Sequence, residues 1–71
     1  MSEINEDQFN ADMRKFLKTF GVTAQREIEK AVRKAVDSGQ LADASSVTAR
    51  ARLEVEGTDV NLVIEEPLRI K

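Results

Sequence analysis

Seven basic side chains are clustered between residues 12 and 34, which makes them candidates for binding an anionic ligand. They are Arg14, Lys15, Lys18, Arg26, Lys30, Arg33 and Lys34. The same stretch holds only three acidic residues. Clustered guanidinium and ammonium groups can bind anions such as nucleic-acid phosphates. The alternative is the ordinary solvated side of an amphipathic helix, which is normally charged. These residues are therefore a candidate anion-binding or partner-binding face, and both interpretations stay open.

Catalytic groups are scarce. The chain has no His, Cys or Tyr, so it lacks the commonest general base and the best nucleophile. Ser45-Ser46 has no base nearby in the sequence, and Glu65-Glu66 would point to opposite faces of a strand. None of the three glycines builds a phosphate-binding loop, and a disulfide or a Cys/His zinc site is excluded. We expect no enzymatic activity, no cofactor, and no catalytic or metal-binding residue.

Composition describes a small folded protein. The 71 residues suffice for one domain, and 41% hydrophobic with 34% charged residues is typical of a globular, water-soluble chain. A net charge of −2 argues against a generic surface for nucleic acid or anionic lipid. No apolar run approaches the roughly 20 residues that span a membrane, and the acidic start does not resemble a secretory signal. We predict a single domain, 1–71, located in the cytoplasm without membrane contact.

The first predicted helix covers about residues 6–20. Asn5 is placed as its N-cap, with Gln8 three residues later, and Gly21 is predicted to end it. Apolar residues recur along one side at helical spacing, namely Phe9, Met13, Phe16, Leu17 and Phe20. Arg14, Lys15 and Lys18 fall on the opposite side.

A second predicted helix covers about residues 24–38, with Thr23 as N-cap and Ser38-Gly39 as its end. Its apolar side consists of Ala24, Ile28, Ala31, Val32, Ala35 and Val36. Arg26, Lys30, Arg33 and Lys34 lie opposite that side.

Beyond residue 45 the hydrophobic period changes to two, which predicts strands over about 46–56 and 59–65 joined by Gly57-Thr58 in a type II′ turn. This register places Leu53 opposite Leu62 and Arg50 opposite Glu65. Glu66 then points to the apolar side, and Pro67 predicts a break, with 68–70 as an uncertain extension. A third helix over residues 43–53 is the alternative to the first predicted strand.

Together these elements predict an α+β fold in which two N-terminal amphipathic helices pack on one face of a C-terminal antiparallel β-hairpin (ααββ). Residues 21–28 also resemble a helix-turn-helix segment, and a hairpin after a helix resembles the wing of a winged-helix domain. The length of the second helix and the acidic hairpin tip, 56–59, count against that interpretation.

The amino-terminal half of the chain also resembles a known family. The resemblance rests on Asn5-Glu6-Asp7-Gln8-Phe9-Asn10, Arg14-Lys15-Phe16-Leu17-Lys18, Gly21-Val22-Thr23 and Gln25-Arg26-Glu27-Ile28-Glu29. These segments are similar to those of a family of short uncharacterised proteobacterial proteins classified as a domain of unknown function. The resemblance implies the order helix–helix–hairpin and a bacterial cytoplasmic setting, and it carries no activity, cofactor or functional residue.

The function predicted from these observations is a non-enzymatic protein-interaction or assembly module. Its partner would be another protein or a second copy, with a homodimer formed by pairing of strand edges as one hypothesis. The alternative is a small winged-helix-like nucleic-acid-binding domain that uses Arg26, Lys30, Arg33 and Lys34.

Overall fold

A computed structural model describes residues 3–71 as one α-helix followed by a two-stranded antiparallel sheet. The helix, α1, spans Glu6–Asp37, and the strands are β1, Ser46–Glu54, and β2, Asn61–Arg69. The chain divides into two compact units, Met1–Gln40 and Leu41–Lys71. The α+β class is confirmed, whereas a single domain with helix packed on hairpin stays a prediction.

The prediction of two helices, about 6–20 and 24–38, is wrong, because α1 is continuous through the expected turn. Gly21, the predicted end, and Thr23, the predicted N-cap, both lie inside it. Positive φ occurs only at Gly39 and Gly57 among the glycines of the described residues. Glycine inside a helix costs only about 1 kcal/mol relative to alanine. That cost is too small to stop a helix whose good helix formers and apolar side continue beyond the glycine.

Both outer ends of α1 are where the sequence predicts them. Asn5 caps the amino end, and its side-chain Oδ1 accepts a hydrogen bond of 3.2 Å from the backbone N of Gln8. The Gln8 side chain donates to Asp12 instead of completing a capping box. At the other end Ser38 is the C-cap, and Gly39 follows with φ of +88°. That left-handed conformation is the reason a glycine is favoured there.

Because α1 is continuous, the two apolar sides predicted for separate helices join into one. This apolar stripe consists of Phe9, Met13, Phe16, Leu17, Phe20, Ala24, Ile28, Ala31, Val32, Ala35 and Val36. No residue of α1 is buried, and Phe16 and Leu17 are each 56% exposed. The stripe therefore runs nearly the whole length of α1, about 48 Å at 1.5 Å per residue, with most of its large side chains in water.

The hairpin has the predicted register. Leu53 pairs with Leu62, and Arg50 pairs with Glu65 across the outer face, where the two side chains form an ion pair. Residues 46–54 are strand, so the alternative of a third helix over 43–53 is excluded. A shift by one residue would exchange the two faces of each strand, so the apolar pairs fix the alignment.

The turn differs from the prediction. The ladder ends at the pair Glu54 and Asn61, and the Thr58 amide donates to the Val55 carbonyl at 3.2 Å. Residues 55–58 therefore form the turn, with Gly57 at its third position and φ of +79°. Gly57-Thr58 as a type II′ loop is wrong because glycine takes the third position rather than the second.

The predicted break at residues 65–67 is also wrong, since β2 continues through Pro67 to Arg69. The Ile70 amide donates to the Ser45 carbonyl, and hydrogen-bonded and non-bonded pairs alternate along an antiparallel ladder. The Thr48–Pro67 pair is therefore a non-bonded one. The Pro67 nitrogen faces away from β1, so no ladder donor is lost.

Replacing Gly21 by alanine tests the continuous helix. The Cβ of Gly21→Ala would meet no heavy atom within 4 Å, so we expect it to raise the free energy of unfolding by about 0.5–1 kcal/mol. Urea unfolding followed by circular dichroism at 222 nm measures this change. The matched control is Gly39→Ala, which meets equally open space but has positive φ and should destabilise. Destabilisation by Gly21→Ala would contradict the continuous helix.

Candidate interaction surfaces

The predicted basic residues all lie on α1, and the continuous helix fixes their positions around one axis. At about 100° per residue, five of them fall within about 120° of arc on the side away from the apolar stripe. These five are Lys15, Lys18, Arg26, Lys30 and Arg33. Arg14 and Lys34 lie about 40° beyond the two ends of this arc. We call the seven residues the basic face.

The basic face is open to water along its whole length, since all seven residues are exposed. Lys30 is 3.4 Å from the Glu27 carboxylate, and this pair is itself largely exposed. An exposed pair three residues apart on a helix contributes at most a few tenths of a kcal/mol. The face is therefore available to an anion or an acidic partner, and its use stays a prediction.

The apolar stripe is a second candidate surface, and it contains a shallow depression. The rings of Phe16 and Phe20 are stacked, with centroids 6.5 Å apart and an angle of 15° between the planes. With Thr19, Thr23 and Ala24 these rings line a shallow depression, open to water, near the middle of α1. Its lining is almost wholly apolar. A hydrophobic side chain would fit the chemistry of this depression better than a polar ligand would.

The hairpin has one apolar and one polar face. Its apolar face is formed by Val47, Ala49, Ala51 and Leu53 of β1 and by Leu62, Ile64 and Leu68 of β2. Glu66 interrupts it opposite Ala49, as the register predicts. On the polar face Val63 is 43% exposed and pairs with Arg52 across the two strands.

No arrangement typical of catalysis or metal binding is found among the described residues. Residues 3–71 contain no group of three or more acidic side chains positioned to hold a metal ion. Glu65 and Glu66 lie on opposite faces of β2, so their carboxylates do not converge. Within the same residues no helix has an apolar stretch that could cross a membrane.

Sequence reasoning assigned the basic residues to two separate helices and missed that one continuous helix carries them all. The cause was the assignment of a turn to residues 21–23. A usable signal was present, because the helical period of the apolar residues continues from Phe20 to Ala24 without a change of phase.

Comparison with known proteins gives one match. Among curated proteins and among solved structures, no match to the chain is found. Residues 4–71 match the model of DUF6494, described as a family of unknown function. The match covers both α1 and the hairpin, so the recognisable family extends beyond the amino-terminal half that carried the resemblance. The chain belongs to the DUF6494 family of unknown function.

Proposed function

We propose that this chain is a non-enzymatic protein-interaction or assembly module whose main contact surface is the apolar stripe of α1. The partner is a protein, a second copy of the chain included. The observation that carries this proposal is the exposure of large apolar side chains along nearly the whole of α1.

The free energy available from this surface supports the proposal. Burial of apolar area contributes roughly 25 cal/mol per Å². Contiguous exposed apolar patches larger than a few hundred Å² mark interaction sites in soluble proteins. The stripe contains three Phe side chains, each 48–56% exposed, and aromatic residues are enriched where interfaces are tightest. A helix with one apolar side and one charged side fits recognition through helix packing.

The non-enzymatic part of the proposal rests on residue chemistry. The chain lacks His, Cys and Tyr, and the carboxylates of Glu65 and Glu66 do not converge. A bacterial cytoplasmic setting is part of the same proposal, and the absence of cysteine is compatible with it.

Nucleic-acid binding is the second candidate function, and the alignment of Lys15, Arg26 and Arg33 along one side of α1 favours it. Its winged-helix form is wrong, because residues 21–28, where the helix-turn-helix segment was expected, are continuous helix. The basic face alone would have to bind phosphate groups. The net charge of −2 works against that binding, so the protein partner is the proposal that we favour.

The first test compares two exposed apolar residues on opposite sides of α1. Phe20 lies in the stripe, and Val22 lies among the basic residues at similar exposure, 48% against 49%. Phe20→Glu should weaken self-association roughly a hundredfold or more, because it places an unpaired charge in the contact. Val22→Glu, the matched control, should leave it unchanged within about threefold. Sedimentation of the full chain from micromolar to millimolar concentration measures both.

A monomeric wild-type protein over that whole range would count against assembly through self-association. If its unfolding midpoint also fell with Phe20→Glu and not with Val22→Glu, the stripe would be used within the chain. That combined result would overturn the proposal.

The second test addresses nucleic acid. We expect the amide NMR spectrum of the labelled full chain to stay unchanged when mixed-sequence duplex DNA is added at physiological salt. Shifts confined to residues 23–34 that weaken as salt rises would instead identify phosphate contacts, because these release counterions. Lys30→Glu with Arg33→Glu should then abolish the shifts. That result would favour nucleic-acid binding over binding of a protein partner.

A further inference from the structure

We infer that the occupant of the apolar stripe is a second copy of this chain, running antiparallel to the first. This inference rests on the proposed function and specifies the partner. The two helices would be related by a two-fold axis at the level of Val22. The spacing and sizes of the apolar residues of α1 support this arrangement, and the charges on one flank are compatible with it.

Eight of the eleven stripe residues are spaced symmetrically along the helix, namely Phe9, Met13, Phe16, Phe20, Ala24, Ile28, Ala31 and Ala35. Leu17, Val32 and Val36 lie outside this set. Successive members are 4, 3, 4, 4, 4, 3 and 4 positions apart, and this series reads the same in both directions. Its midpoint is position 22, halfway between Phe20 and Ala24. Reversing the helix about that point therefore puts every one of the eight residues at the level of another.

The sizes of the residues are complementary under that reversal. The four layers are Phe9 with Ala35, Met13 with Ala31, Phe16 with Ile28, and Phe20 with Ala24, each residue facing its counterpart in the other copy. Three layers thus combine a large side chain with alanine. Packing of large against small keeps the distance between two helices even along their length, which close packing requires.

A parallel pair lacks this complementarity. Each residue would face its own copy, so Phe16 would meet Phe16 and Ala31 would meet Ala31. The helices would be held apart in the first half and leave voids in the second. The sizes therefore distinguish the two directions, although the spacing alone fits both.

The charges on one flank of the stripe are compatible with the antiparallel direction. Residues 6–12 carry three acidic residues and no basic one, whereas four of the seven basic residues lie within 26–34. In the antiparallel pair Asp12 lies at the level of position 32 of the other copy, on the flank of the stripe that also holds Lys30 and Lys34. Each of these is two positions, about 3 Å, from that level along the axis.

The depression in the middle of α1 lies where the axis would pass. It is lined by residues between Phe16 and Ala24. In the antiparallel pair Ala24 of the other copy faces Phe20, and Phe20 of the other copy faces Ala24. The apolar lining of the depression suits these two side chains.

An exchange of residues tests the layers. Ala24→Phe places Phe against Phe and Phe20→Ala places Ala against Ala, so each alone should weaken dimerisation about tenfold or more. The double variant, Phe20→Ala with Ala24→Phe, restores one large and one small residue in both layers. Its dissociation constant should return to within a few-fold of the wild-type value. Sedimentation gives the constants, and circular dichroism at 222 nm checks that each variant keeps its helix.

A distance measurement on an otherwise unchanged chain tests direction without altering the contact. The chain has no cysteine, so Asp37→Cys offers a single site for a nitroxide label at the exposed end of α1. Two labels in an antiparallel dimer are about 45 Å or more apart, since each lies 15 residues from the axis. In a parallel dimer they are within about 25 Å, the distance between two packed helices plus the label arms. Pulsed electron–electron double resonance spectroscopy measures the distance between the two labels and distinguishes these values.

The outcomes separate this inference from the proposed function. A dimer with the long distance and a restored double variant supports both. A dimer with the short distance, or one that neither single substitution weakens, overturns the antiparallel pair and leaves an assembly module standing. A monomer at every concentration overturns the pair and counts against assembly through self-association as well.

Discussion

The structure depends above all on the need to remove the apolar stripe of α1 from water. Backbone hydrogen bonds satisfy the polar groups of a helix, but they do nothing for apolar side chains on its surface. No residue of the described chain is buried, and even Phe9 is 49% exposed. Helix formation alone is marginal in water, because fixing the backbone costs nearly what each hydrogen bond contributes. A helix of this length with a single apolar side therefore implies a covering surface.

The hairpin follows the same constraint on a smaller scale. An isolated two-stranded sheet is marginally stable, and the pair Leu53–Leu62 lies on a face that still meets water. Its register is fixed nonetheless, because the apolar pairs and the Arg50–Glu65 ion pair agree on one alignment. On the outer edge of β2, Pro67 presents no donor, which makes that edge a poor template for another strand. The hairpin is thus well specified locally while offering a weaker contact surface than α1.

Local chemistry was readable from the sequence wherever one residue decides the outcome. Asn5 and Gly39 mark the true ends of α1, because a capping side chain and a left-handed glycine each have a specific structural role. Gly21 misled the prediction, since glycine also occurs inside helices when the neighbouring residues sustain them. Pro67 misled it too, because the cost of proline in a strand depends on which ladder position it takes. Of the candidate surface, the basic residues were identified, but their common alignment required a continuous helix.

The continuity of α1 also changes which apolar residues can pack against each other. In two separate helices Phe20 would end one apolar side and Ala24 would begin another, and large residues in one helix could cover small ones in the next. In one straight helix the large half and the small half cannot meet within the same α1. Their complementarity can be used between two copies that run in opposite directions. Folding and association become linked in such a pair, and its stability depends on protein concentration.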